Sequence, residues 1–145
     1  MALNYHLGNA LDIDQVIELY RASTLGLRRP VDDRERMSQM LSQANLVVTA
    51  WDDEKLVGIS RSLSDYCYCT YLSDLAVRAE YQKNGIGKEL IRLTREAGGR
   101  ATVFLFSAPG AVDYYPHIGF QAGKGFLLRE EDALLDNRDG QDGKV

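Results

Sequence analysis

A strand, a glycine-bearing turn and an amphipathic helix follow one another between Leu72 and Ala97, and this junction constrains the chain more than any other segment. Leu72-Ser73-Asp74-Leu75-Ala76-Val77 closes a stretch, from Tyr68 onward, rich in residues that favour sheets. Gln82-Lys83-Asn84-Gly85-Ile86-Gly87-Lys88 turns the chain into a helix whose core face carries Leu90, Ile91, Leu93 and Ala97. Gly98-Gly99 then stops that helix. A helix opening on such a turn presents backbone N–H groups without intrahelical partners, at the positive end of its dipole. That is a ready site for phosphate. Gly85 and Gly87 let the backbone turn sharply and approach an anion, and Gln82, Lys83 and Lys88 add side-chain donors. G-x-G alone is a weak signal: it lacks the Walker A spacing and the third glycine of the dinucleotide fingerprint. For an isolated G-x-G, an ordinary capped helix is the plainer alternative.

The flanking segments read as alternating elements of one mixed domain. Residues 4–7 form a short first strand. Asp12, with Gln15 three residues on, has the pattern of a capping box before Ile13, Val16, Ile17, Leu19 and Tyr20 at helical spacing, and Gly26 ends that helix. Asp32 or Asp33 starts a second helix through Met37, Met40 and Leu41. Leu46–Trp51 and Leu56–Leu63 are strands joined by the turn Asp52–Lys55, and Ser64-Asp65 turns the chain again. Ala101–Phe106 is an apolar strand suited to burial on both faces. Pro109–His117 reads as a short helix, and Gly119-Phe120 with Phe126-Leu127-Leu128 as a final strand pair. The order is β-α-α-β-β-β-α-β-α-β, an α/β (α+β) arrangement with a largely antiparallel sheet flanked by helices. Residues 1–145 are expected to be a single domain, with 130–145 a flexible acidic tail.

Composition excludes several classes. The net charge of −4 argues against broad nucleic-acid binding, which needs a clustered positive field. No stretch approaches 18 apolar residues and the N-terminus does not read as a signal peptide, so no membrane association and a cytoplasmic location are expected. Cys67 and Cys69 alternate with Tyr66, Tyr68 and Thr70, which reads as two small residues on one face of a strand. A C-x-C pair supplies only half of a structural zinc site, and no metal is expected.

Taken together, the motifs resemble the GNAT superfamily of acyl-CoA-dependent N-acyltransferases over roughly residues 4–129. Gln82-Lys83-Asn84-Gly85-Ile86-Gly87 is similar to its Gln/Arg-x-x-Gly-x-Gly/Ala pyrophosphate motif, and Leu75-Ala76-Val77-Arg78-Ala79-Glu80-Tyr81 to the stretch that precedes it. Tyr114-Tyr115-Pro116-His117-Ile118-Gly119-Phe120 is similar to its late aromatic motif. Arg28-Arg29-Pro30 and Arg61-Ser62-Leu63-Ser64-Asp65 look like a plastid and bacterial branch described as acting on arylalkylamines such as serotonin and on protein lysines.

The resemblance implies an N-acetyltransferase with acetyl-CoA as cosubstrate and a primary amine as acceptor: an arylalkylamine, a polyamine or a protein lysine. A non-catalytic acetyl-CoA sensor or partner-binding module on the same fold is the alternative. Homodimers occur in the family. The implied pantetheine arm pairs with Leu75 and Val77, the thioester meets a backbone N–H near Leu75 or Ala76, and the pyrophosphate lies on residues 83–88. Tyr115 is the implied proton donor to the departing thiolate. At the two usual positions of a family base the chain has Tyr71 and Ser73, neither a good base. Asp74 is the nearest carboxylate, re-aimed by a bulge to act as base or to hold water or the acceptor, with a structural role equally open. Leu27, Arg28, Tyr71 and Ser73 are the expected acceptor-site residues, with Tyr66 and Tyr68 as further aromatics; packing in the sheet is the alternative reading of the three tyrosines.

Overall fold

Residues 2–136 are described by a computed structural model, in two units that divide between Ser107 and Ala108. In the first unit the elements are β1 (Leu3–Leu7), α1 (Ile13–Arg21), α2 (Arg34–Gln43), β2 (Leu46–Asp52), β3 (Lys55–Ser64), β4 (Cys69–Val77), α3 (Ile86–Ala97) and β5 (Thr102–Phe104). A 3₁₀ turn at Thr24–Arg28 links the first two helices, and another at Ala79–Tyr81 precedes α3. The strands lie in sequence order, β1-β2-β3-β4-β5, antiparallel throughout except for the parallel pair β4–β5. This is the mixed, largely antiparallel architecture expected.

Each face of the sheet buries one apolar cluster. Val16, Leu19 and Tyr20 of α1 and Met37 and Leu41 of α2 pack with Ile59 and Ala76 on one face. Ile86 and Leu90 of α3 pack with Val48, Ala50 and Val57 on the other. Gly58 makes that second contact close, since a Cβ there would sit 3.1 Å from both Ile86 and Leu90 side-chain carbons. Arg78 ties α1 to the start of β3 by donating to Leu56 O at 2.7 Å and pairing with Glu18.

Local chemistry departs from the expectations at several points. Asp12 does cap α1, accepting from Asp14 N–H, but Gln15 donates to Glu54 O, so the reciprocal half of the capping box is not made. Helix α1 ends at Arg21, before Gly26; that glycine lies in the 3₁₀ turn, where a Cβ would come within 2.8 Å of Tyr20 O. Asp33 caps α2. Cys67 lies in the turn before β4, and the two exposed cysteines do not share a strand face as read from sequence. Asp65 builds that turn by accepting from the N–H groups of Cys67, Tyr68 and Cys69. Strand β5 has three residues, and Phe104 and Phe106 are close to half exposed, because β5 is an edge strand and not a core strand.

In the second unit a 3₁₀ turn at Pro109–Ala111 precedes α4 (Tyr114–His117). Phe120 N–H returns to Tyr115 O at 3.0 Å. The expected final strand pair at Gly119-Phe120 and Phe126–Leu128 does not form; the segment enters no ladder and Phe126 is 90% exposed. An apolar run becomes a strand only where a partner strand accepts its backbone groups. Of the expected tail, residues 130–136 are exposed and 137–145 lie outside the described residues.

Candidate active site

Pairing between β4 and β5 stops at Tyr71 and Phe104, whereas β4 runs on to Val77. One backbone edge of β4 is therefore left without a strand from Leu72 onward. Which groups face that edge follows from register. Arg78 N–H donates to Val57 O at 2.9 Å, so alternation along the antiparallel ladder turns Ala76 and Asp74 toward β3 and Leu75 and Val77 outward. Leu75 and Val77 thus present N–H and C=O groups to the open edge. Ala76 does not: its backbone faces β3 and its methyl is buried in the α1–α2 core. Gln82 Nε2 donates to Val77 O at 3.1 Å, at the end of the edge nearest α3.

That edge leads to the N-terminus of α3. Gly85 holds the cap position with φ of 78°, and Lys83 also has positive φ, at 67°. The first helical bond runs from Glu89 N–H to Gly85 O. The N–H groups of Ile86, Gly87 and Lys88 therefore have no intrahelical acceptor, and no side chain caps them. Ile86 contributes its N–H only, because its side chain is buried under α3. Asn84 holds the turn together, donating to Tyr81 O and Gln82 O. Gln82, Lys83 and Lys88 are exposed around the opening. A turn of this shape suits a phosphate group.

At the other end of the open edge lies a buried ion cluster. The ladder shifts register between Arg61 and Ser62, opposite Ser73, and this bulge brings Ser73 and Asp74 to the same face. Asp74 is fully buried. It accepts from Tyr20 hydroxyl at 2.7 Å, Arg61 Nε at 2.6 Å, Arg29 Nε at 2.6 Å and Ser73 hydroxyl at 3.2 Å. Burial alone pushes this carboxyl up, but the hydrogen bond and charge of Arg61, with Arg29 and Tyr20, outweigh it and hold the carboxyl below the usual range. Tyr20 responds in the opposite sense: burial and then the Asp74 charge raise its phenol well above normal. Asp74 is thus held ionised and ties Tyr20, Arg29, Arg61 and Ser73 into one buried cluster. Arg29 extends the cluster to the 3₁₀ turn, since its Nη2 donates to Ser73 O and its Nη1 to Arg28 O, both at 2.8 Å.

The remaining expected acceptor residues divide. Tyr71 stacks on Phe104, with centroids 5.2 Å apart, and meets Phe106 edge-on, giving a half-exposed aromatic surface. Leu27 and Arg28 are exposed on the 3₁₀ turn tied to β4 through Arg29. Tyr66 and Tyr68 lie in the turn before β4 and not on the central strand; the Tyr66 hydroxyl donates to Asn45 O. In the second unit Tyr115 is half-buried, edge-on to Tyr114 and Phe120, and His117 is exposed. Sequence places Tyr20 only on the core face of α1, and Arg29 and Arg61 only in the branch motifs; it assigns none of the three a role in the site. The available signal was Arg61, a guanidinium inside an otherwise apolar and small-residue strand, which demands a buried counter-ion.

A family model described as "Acetyltransferase (GNAT) domain" matches residues 23–126. The chain belongs to the GNAT acetyltransferase family. Among GNAT relatives, "GCN5-related N-acetyltransferase 2, chloroplastic" of Arabidopsis thaliana is 34% identical over 76 residues, 48% of this chain and 28% of that protein. "Histone acetyltransferase TAP1" of Glycine max is 31% identical over 77 residues, 49% of this chain and 30% of that protein. The match thus spans less than a third of the length of these two relatives. Among solved GNAT structures, an acetyltransferase from Streptococcus pneumoniae superposes with a TM-score of 0.71 at 24% identity, covering 89% of this chain and all of that one. Aminoglycoside N-acetyltransferase AAC(6')-Iy in complex with CoA superposes at 0.69 with 15% identity, covering 91% and 96%. These two likenesses establish the GNAT fold. The GNAT model spans both the open β4 edge and the Tyr115 segment.

Proposed function

We propose that this GNAT domain transfers the acetyl group of acetyl-CoA to a primary amine by direct attack on the thioester. One observation carries the reading: an unpartnered edge of β4 runs straight into an uncapped helix N-terminus. The first suits an extended amide chain added as a strand, the second a pyrophosphate. The family model running through residues 23–126 supports reading both units as one transferase domain.

The pantetheine amides pair with the outward N–H and C=O of Leu75 and the outward N–H of Val77, whose carbonyl already accepts from Gln82. The amides of Ile86, Gly87 and Lys88 hold the pyrophosphate, with Lys83 and Lys88 adding charge. Acetyl-CoA, when bound, supplies an activated acyl carbonyl. The Leu75 N–H is the donor placed to polarise that carbonyl. Asp74 and Arg29 keep the acceptor side of β4 in register. Tyr115, carried over from the late aromatic motif, holds the proton destined for the leaving thiolate. The incoming amine sheds its own proton to water, since neither Tyr71 nor Ser73 serves as a base. The domain is expected in the cytoplasm or, following the chloroplastic name of the Arabidopsis relative, in a plastid; a fluorescent fusion of the full-length protein separates the two.

The test is release of free CoA thiol from acetyl-CoA in the presence of arylalkylamines, polyamines and lysine peptides. Amine-stimulated release is expected. Acetyl-CoA binding with no release for any amine would replace the transferase with a non-catalytic acetyl-CoA module.

A further inference from the structure

The face of β4 on which the acyl end would lie carries more positive than negative charge, and the cause is buried. Asp74 is one carboxylate set against two guanidiniums, Arg29 and Arg61. The side chains of Asp74 and Arg61 are 0% and 10% exposed, so this imbalance is built into the core and does not relax by rotation. Arg29, 22% exposed, brings the surplus charge to the surface. Three of its five N–H groups are committed, to Asp74, Ser73 O and Arg28 O, which leaves two for a ligand. Arg28 adds a second, exposed guanidinium on the same turn. Nearby carboxylates are already engaged: Asp14 of α1 by Arg34, Glu18 of α1 by Arg78, and Asp32 in the turn before α2 by Arg21.

Position along the strand completes the argument. The pyrophosphate cradle adjoins Val77, so an extended cofactor directs its acyl end back along β4 toward the bulge at Ser73, where Arg29 binds the Ser73 carbonyl. Beyond the bulge, Tyr71 with Phe104 and Phe106 forms an aromatic wall. Tyr71 opposes Leu63, two residues from Arg61 on β3, so that wall and the ion cluster share one face of the sheet.

We infer that the acceptor is an aromatic amine that also carries a carboxylate, as an aromatic amino acid does. Its ring lies on Tyr71 and the two phenylalanines, and its carboxylate pairs with the surplus charge of Arg28 and Arg29. Arginine forks match a carboxylate in two-point geometry. A polyamine or an unmodified lysine tail would bring like charge to the same place. In the reaction the amine nitrogen forms a bond to the acetyl carbonyl carbon and the carbon–sulfur bond breaks. The amine proton passes to water and the thiolate is protonated, giving the N-acetylamino acid and free CoA. The inference rests on the transferase reading.

The experiment compares matched acceptors that differ only in the acid: phenylalanine against phenylalanine amide and phenethylamine, and tryptophan against tryptamine, with spermidine as the polycation. Acetyl-CoA binding is measured on the same protein by calorimetry. kcat/KM for each acid is expected to exceed that of its acid-free match about tenfold or more, as for a site that leaves charged donors unpaired with the wrong ligand. Arg28→Gln is expected to raise KM for the acids and shrink that ratio, whereas a merely structural effect would move both members of each pair alike and overturn the inference. Faster transfer to phenethylamine, tryptamine or spermidine overturns it too but leaves the transferase standing. Acetyl-CoA binding with no transfer to any member of the panel also overturns it. Failure to bind acetyl-CoA removes the cofactor site itself.

Discussion

Asp74 sits among two guanidiniums and a phenol, and it is the residue whose chemistry changes most between sequence and structure. Its replacement by Asn would leave Arg61 buried beside a weaker partner. Asp74→Asn is expected to destabilise the fold by about 3–5 kcal/mol, the usual effect of breaking a buried ion pair, read as a lower denaturant midpoint. Because the folded Asp74 carboxyl lies below its unfolded value, its contribution is complete above the ordinary carboxylate range and is lost as pH falls through the folded value. The melting temperature should therefore drop on acidification below about pH 4, and this part of the drop should be missing in Asp74→Asn. Ser62 is the opposite case, since its buried hydroxyl has no hydrogen-bond partner among the described residues. Ser62→Ala should leave stability unchanged or raise it by up to about 1 kcal/mol, measured by chemical denaturation. For Tyr115→Phe the expected outcome is a roughly hundredfold lower kcat with little change in acetyl-CoA affinity, in steady-state kinetics alongside calorimetry. The candidate acid was legible from a motif, whereas the buried cluster was not, because it joins residues 20, 29, 61 and 74 that only tertiary folding brings together.

At the scale of elements, the strand–turn–helix junction was legible because its determinants are local. Positive φ at Gly85, an amphipathic α3 and a Gly98-Gly99 stop are all written within a few residues of where they act. Gly85→Glu places a side chain on a left-handed backbone and a negative charge at the phosphate cradle. It is expected to weaken CoA binding by tenfold or more, measured by calorimetry, while the domain keeps its fold, since no atom outside the turn lies within 4 Å of a Cβ there. The bulge at Ser73 had a different basis. Sequence raised it only as a way to re-aim Asp74, and the structure shows it by the register of β4 against Arg61 and Ser62 of β3. Strand β5 and the segment 119–128 were misread for one reason: apolar composition signals burial or a strand, but does not say whether a partner edge exists.

Across the whole molecule, the binding proposal predicts coupling between ligand and stability. Acetyl-CoA at a hundred times its dissociation constant should stabilise the fold by about 2.7 kcal/mol, seen as a concentration-dependent rise in melting temperature. The amino-acid sequence by itself determined the element order through α3, the mixed sheet and the phosphate-ready turn, because periodicity, caps and turn chemistry act over a few residues. The tertiary structure alone decided where strand pairing along β4 stops, that Asp74 is buried against Tyr20, Arg29 and Arg61, and that two guanidiniums meet one carboxylate there. Those properties depend on ladder register and on charges distant in the chain, and neither is encoded in any local pattern.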